Sequence, residues 1–296
     1  MVSSNILDNQ TSKLAAQEET DRINNLSCPS FNGKGIITCA GSRVTLYNLH
    51  FLVRSIRHFN CDLPIEVYHL SSERIPDKLV NYYKDLNVTF INGSKFPHRR
   101  LSGWELKAHA IINSKLNDVI FLDSDNIVGF NISELFSDEY KQYGSLFWAD
   151  LGYLYPHMKI FEYIDCKPKT LRCFEAGQFV IDKTKTWKAL NFAHWMNQNS
   201  DWFYHQKIYG DKDTFNLAWN KFETPFLLHK EVAKESGIFI HKFKDKYFWH
   251  QNDSKKRNNS DFGTYIPLHK ELNSWKKEYI KWMLNEDMTD LFELKF

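Results

Sequence analysis

Between residues 44 and 59 the apolar positions Leu46, Leu49, Val53, Ile56 and Phe59 recur at steps of three and four, the period of an amphipathic helix. A short β-branched run, Gly35-Ile36-Ile37-Thr38-Cys39-Ala40, precedes it and stops at Gly41, which predicts a buried strand and a turn. Pro64 ends the helical pattern, and residues 65–70 read as the next strand. The alternation continues with a helix over 76–86, a strand over 88–91, a helix over 104–116 and a strand over 119–122. Strands alternating with helices of this length predict βαβ units and an α/β fold with a mainly parallel central sheet flanked by helices. Right-handed crossovers would bring the strand C-termini to one edge, where open α/β folds bind their ligands.

The second half is less regular. Residues 145–148 and 178–181 predict strands, 184–196 and 213–219 helices, and 239–240 and 247–249 short strands. Residues 272–284 carry the period of a terminal amphipathic helix. The first thirty residues are polar and rich in Asn, Ser, Gln and Glu, which predicts a loose tail or short helix with order beginning at Gly33. No internal repeat and no Pro/Gly-rich linker divides the chain, so one continuous domain is the simplest expectation.

A length of 296 residues allows a full core and an enclosed site. With 38 Lys plus Arg against 36 Asp plus Glu, charge is too balanced for a general nucleic-acid binder. The aromatic content of 16% suits a cleft that stacks on sugars or a base, and a plain aromatic core equally well. Five cysteines at irregular spacing, without a zinc pattern, favour reduced thiols, with a Cys166–Cys173 bridge as the open alternative. No stretch is apolar enough for a membrane span or a signal peptide, which leads to the expectation of a cytoplasmic protein, or of a Golgi-lumen one if an anchor has been removed.

The stretch that carries chemistry is Val119-Ile120-Phe121-Leu122-Asp123-Ser124-Asp125-Asn126, a buried strand running into two carboxylates separated by one small residue. At a strand end both could reach the cleft and share a Mg²⁺ or Mn²⁺ with a diphosphate, since hard cations favour few protein carboxylates plus phosphate oxygens. An isolated DxD is as readily a strand-end turn or a helix cap. A haloacid-dehalogenase-type phosphatase also places DxD after an apolar strand, but on the first strand of its fold and with Thr or Val where Ile127 stands here.

Four segments, in this order, make the chain resemble the fungal-type α-mannosyltransferases of glycosyltransferase family 71. They are Gly33-Lys34-Gly35-Ile36-Ile37-Thr38-Cys39-Ala40-Gly41; Gly103-Trp104-Glu105-Leu106-Lys107-Ala108 running on to the DxD; Phe174-Glu175-Ala176-Gly177-Gln178 with Ile181-Asp182-Lys183; and Gly210-Asp211-Lys212-Asp213-Thr214-Phe215. The chain is also similar to the glycogenin-like retaining enzymes of family 8. The resemblance implies a GT-A fold (a Rossmann-like nucleotide-diphospho-sugar transferase), Mn²⁺ or Mg²⁺, a nucleotide-sugar donor with GDP-mannose favoured and a UDP-hexose as alternative, a glycan acceptor, and retention of anomeric configuration. It divides the chain into a tail over 1–32, a catalytic domain over 33–268 with a nucleotide half to about 126 and an acceptor half from 127, and a C-terminal helix over 269–296. Departures are the missing membrane anchor, the weak match beyond Trp219, and Ala176 where many members have Ser.

Carried over residue by residue, the resemblance makes Asp123 and Asp125 metal ligands, with His250 as third ligand and His241 as the alternative. Asp123 would also bind the ribose. Ala40 and Gly41 form the nucleotide-side turn. Lys107 would reach the diphosphate, Gly177 would let backbone approach the sugar, and Lys212 would stabilise developing negative charge. Asp211, Asp213, Glu175 and Gln178 are the candidates for donor-sugar contact near the reaction centre. Lys256, within the basic run Lys255-Lys256-Arg257, would close over the diphosphate. Each has a plainer alternative: solvated lysines, a helix N-cap at Asp211 and Asp213, loop polar residues at Glu175 and Gln178. An inactive sugar-nucleotide-binding module also remains open.

Overall fold

The computed structural model describes residues 9–167, 171–204, 207–251 and 266–286. The first half follows the expected alternation. After α1 (Asn9–Asn24) come β1 (Lys34–Cys39), α2 (Arg43–His58), β2 (Ile65–His69), α3 (Asp77–Lys84), β3 (Val88–Asn92), α4 (Glu105–Asn113) and β4 (Asp118–Leu122). The second half runs β5 (Asn126–Val128), α5 (Asp138–Tyr143), β6 (Ser145–Tyr153), α6 (Ile160–Tyr163), β7 (Arg172–Asp182), α7 (Lys183–Gln198), α8 (Ser200–Phe203) and α9 (Asp211–Lys221). It ends with β8 (Leu227–His229), β9 (Val232–Glu235), β10 (Ile238–Phe243), β11 (Lys246–His250) and α10 (His269–Asn285).

The main sheet has seven strands in the order β3-β2-β1-β4-β7-β6-β8, and only β7 runs against the rest. The expected α/β fold with a mainly parallel sheet is therefore present. Its strands read as unbroken apolar runs because both faces are covered. Ile36, Ile120 and Val180 belong to one core, shared with α2 and α3, while Ile37, Phe121 and Phe179 belong to the other, shared with α4, α7 and α9. Ser42 caps α2 by accepting from the Thr45 N–H, and Asp182 caps α7 by accepting from the Lys185 N–H. A second sheet, β5-β11-β10-β9, is antiparallel.

At the N-terminus the helical alternative holds, and order starts well before Gly33. The polar composition concealed a narrow stripe, Ser12, Ala16 and Ile23, that is buried on the core while Leu14 on the same helix stays exposed. Strand β7 is longer than the four residues expected and antiparallel. All five cysteines are free, Cys166 and Cys173 among them. No described helix is long and apolar enough to cross a membrane.

Candidate active site

A cleft of about 660 Å³ opens along the edge where β1, β4 and β6 end and β7 begins. Ala40 and Gly41 follow β1 into the first turn of α2, whose Ser42, Thr45 and Asn48 also face the cleft. A helix N-terminus at this place offers backbone N–H groups and a positive dipole end to an anion.

Past Leu122 the chain turns through Asp123, Ser124 and Asp125 into β5. The Asp123 N–H donates to the Gly177 carbonyl at 2.7 Å, extending the β4–β7 ladder by one residue, and the Asn126 N–H closes the turn on the Asp123 carbonyl at 3.0 Å. The Asn126 side-chain amide also donates to the Gly177 carbonyl, at 2.8 Å. Strand β5 pairs with β11 so that His250 lies opposite Asn126, and the Gln251 N–H donates to the Asp125 carbonyl at 3.0 Å. The short β5 therefore returns the end of the second sheet to the carboxylates. His250 Nε2 is 3.3 Å from Asp125 Oδ1 and 3.8 Å from Asp123 Oδ2.

One ligand atom from each of Asp123, Asp125 and His250 lies within 4.8 Å of the others, the only such cluster among the described residues. Two carboxylates and an imidazole suit Mn²⁺ or Mg²⁺ that fills its remaining positions with ligand oxygens. The support behind the imidazole fits too. Glu175 Oε1 lies 3.5 Å from His250 Nδ1 and accepts the Gly177 N–H at 2.8 Å, so Nε2 is the nitrogen turned to the carboxylates. A Cβ on residue 177 would lie 2.5 Å from the His250 ring, so the group approaching Gly177 closely is this imidazole. Burial opposes a charge on His250, but Asp125 and Glu175 outweigh it and raise its pKa well above the usual histidine range. Burial works against the Glu175 carboxylate as well, yet His250 beside it brings it down to about 2. His241, the alternative ligand, is buried on β10, stacked on Phe239 and lowered to about 4 by burial; it is not part of the cluster.

Lys107 lines the cleft and is held there by its neighbours. Its ammonium sits 2.8 Å from Asp211 Oδ2 and 3.2 Å from Asp123, and donates to the Ala176 carbonyl at 2.6 Å. Burial disfavours its charge, but the two carboxylates outweigh that and keep it protonated. It thus ties together the DxD turn, β7 and the start of α9. Asp211 lines the cleft, as do Glu175 and Lys212, and Lys212 forms an ion pair with Asp150. Asp213 lies outside the lining, buried, with Oδ2 accepting the Tyr209 N–H at 2.8 Å. Gln178 also lies outside it, buried on β7 opposite Leu122. Lys256 and its basic neighbours fall outside the described residues. Cleft residues not singled out from sequence include Asp150, Asn48, Glu73 and Tyr209. Asp150 lies two residues past the predicted strand 145–148, with Ala149 between, a weaker form of the signal that marked Asp123.

The strand-end carboxylates, returning imidazole and helix N-terminus thus make this an α/β protein able to hold a divalent cation and an anionic ligand together. Sequence comparison narrows the class. Residues 33–165 and 161–263 match the Mannosyl_trans3 family, described as "Mannosyltransferase putative", and the chain belongs to that family. It is 24% identical over 275 residues to the α-1,2-mannosyltransferase MNN2 of Candida albicans, covering 74% of this chain and 45% of that one. Against the α-1,2-mannosyltransferase MNN5 of Saccharomyces cerevisiae identity is 22%, over 88% of this chain and 57% of that one. The chain spans about half the length of these two relatives. Among solved structures, the mannosyltransferase Ktr4p of S. cerevisiae aligns with a TM-score of 0.44 at 10% identity, over 79% of this chain and 82% of that one. The bifunctional glycosyltransferase WbbM aligns with a TM-score of 0.48 at 14% identity, over 69% of this chain and 40% of that one. These likenesses are loose, and the family assignment rests on the sequence match.

Proposed function

We propose that the chain is a metal-dependent, retaining GT-A glycosyltransferase that moves mannose from GDP-mannose to a hydroxyl of a glycan. The observation that carries this reading is the Asp123/Asp125/His250 cluster at the strand ends, inside a cleft large enough for a nucleoside diphosphate sugar. Asp123, Asp125 and His250 hold the cation, and Glu175 orients the imidazole. A divalent cation bound by these residues would supply positive charge against the diphosphate of a donor. The first turn of α2 receives phosphate oxygens on its N–H groups. Lys107 fixes Asp123 and Asp211 in register, so that Asp211 meets the donor sugar at a set position. Lys212, close to Asp150, offers a second cation near the reacting bond. The acceptor hydroxyl attacks from the face the diphosphate leaves and passes its proton to the departing phosphate, so no protein nucleophile is required. Membership of a mannosyltransferase family favours this over the phosphatase alternative.

A donor screen tests the proposal. Thermal unfolding is followed with GDP-mannose, UDP-glucose, UDP-galactose and UDP-N-acetylglucosamine, each with Mn²⁺ and with a chelator. A rise in Tm with GDP-mannose that needs Mn²⁺ is the expected result. A metal-dependent rise with a UDP-sugar alone would overturn the donor assignment, and phosphate release from simple phosphomonoesters without nucleotide would overturn the reaction class.

A further inference from the structure

Trp104 stands just before α4 with 48% of its surface exposed, and Tyr209 stands just before α9 with 66% exposed. Their rings lie 25° from parallel with centroids 6.5 Å apart, and both line the mouth of the cleft. The backbone is fitted to this pair. Gly103 takes φ +60°, a left-handed turn that suits glycine, immediately before Trp104. A Cβ on residue 210 would come within 3.2 Å of the Trp104 ring, so Gly210 lets the Tyr209 segment approach it.

Trp104 also walls a second cavity of about 390 Å³, which shares Gly103 and Trp104 with the cleft and includes none of the three clustered metal-ligand candidates. Its polar groups are Arg100, Ser102, Glu105, Ser200 and Asp201. Glu105 is buried: its Oε1 accepts from the Ser200 hydroxyl at 2.6 Å and lies 3.6 Å from the Arg100 guanidinium. Each carboxylate is paired with an arginine, Glu105 with Arg100 and Asp201 with Arg99, so the charges around the cavity are balanced and it presents no net positive field to a phosphate. An aromatic face bordered by hydroxyls, carboxylates and a guanidinium instead matches a pyranose, whose C–H face stacks on the ring while its hydroxyls bond at the edge.

We propose that this second cavity is an acceptor subsite for the sugar next to the one being modified, with Trp104 and Tyr209 as the platform over which the oligosaccharide passes into the cleft. The inference rests on the glycosyltransferase reading and adds that the acceptor is an oligosaccharide engaged through at least two rings. The position of the cavity beyond Trp104 gives the acceptor an entry separate from the donor end.

The test compares methyl α-mannoside, mannobiose and mannotriose as acceptors for the full chain with Mn²⁺ and GDP-mannose, with saturation-transfer NMR of mannotriose alongside. The wild-type protein is expected to prefer mannotriose over the monosaccharide in kcat/KM and to show saturation transfer to more than one ring. Trp104→Ala should cut that preference by about tenfold while the Mn²⁺-dependent Tm shift with GDP-mannose persists. Arg100→Ala, at a half-exposed side chain, provides a second variant should Trp104→Ala fail to fold. A wild-type protein without length preference and without mannotriose contact overturns the subsite, as does a preference unchanged in both variants. Loss of the donor shift in the wild-type protein would instead strike the glycosyltransferase reading itself.

Discussion

At the inner end of the cleft, the Lys107 ammonium is enclosed by Asp123, Asp211 and the Ala176 carbonyl; at the outer end, Lys212 meets Asp150 below an exposed Tyr209 ring. The two lysines carry the same charge in the same cavity, yet their freedom differs. Lys107 cannot leave without stranding Asp211, which is largely buried, and Asp123 at the cleft wall, so it serves as a fixed tie between β4, β7 and α9. Lys212 pairs with Asp150 among the described residues and has a side chain 24% exposed, so it can turn to an anion that enters the cleft. Enclosure decides whether a lysine builds a site or works in it.

Ways to break this contrast run from the metal end outward. Asp125→Ala removes a buried ligand candidate and is expected to abolish transfer and the Mn²⁺-dependent Tm shift, with the far-UV circular dichroism unchanged; an active variant would refute the metal assignment. Lys107→Met leaves Asp123 and Asp211 uncompensated and should cost about 3–5 kcal/mol in urea unfolding, whereas Lys212→Met should cost about 1 kcal/mol or less while slowing transfer. Equal losses from the two would erase the distinction. Glu175→Gln leaves the size of the side chain but weakens its hold on His250, and Mn²⁺ affinity read by electron paramagnetic resonance should fall about 10–100-fold.

An effect confined to acid solution separates His250 from a buried histidine without such partners. His50 stacks on Tyr279 and is held down to about 3, first by burial and then by Arg54 nearby. The folded protein keeps it neutral where the unfolded chain, with a pKa near 6.5, takes up a proton. Stability is therefore full above pH 6.5 and falls as pH drops toward 3, by up to about 1.4 kcal/mol per pH unit from this group. His50→Phe should flatten that slope in acid unfolding experiments, and an unchanged slope would show that other groups set it.

How much of this was legible in the sequence differs between the halves for a physical reason. Strands β1 to β3 are each short, apolar and followed by a helical pattern, and β4 runs straight into the local DxD, so fold and carboxylates could be read from neighbouring residues. His250 depends on the β5–β11 pairing, a contact between distant segments that no period encodes, and only the resemblance pointed to it. Lys107 could be marked as a cleft residue, but not its partners, because Asp211 comes from a helix far along the chain. Gln178 is a different case: it adjoins Gly177 in sequence and lies buried opposite Leu122, outside the cleft lining. The docking of α1 was hidden because three small or apolar positions suffice to seat a helix that is otherwise polar.

Helices α1 and α10 both lie outside the span 33–263 over which the family is recognised, and both seal apolar surface. Ala16 and Ile23 join the core that includes Trp187, while Leu272, Trp275 and Tyr279 cover Phe51 and His50 of α2. A fragment trimmed to the recognised span would bare both faces at once and tend to aggregate. Ancestry and packing thus draw different borders on this chain: the apolar core reaches beyond the span that reveals its kinship.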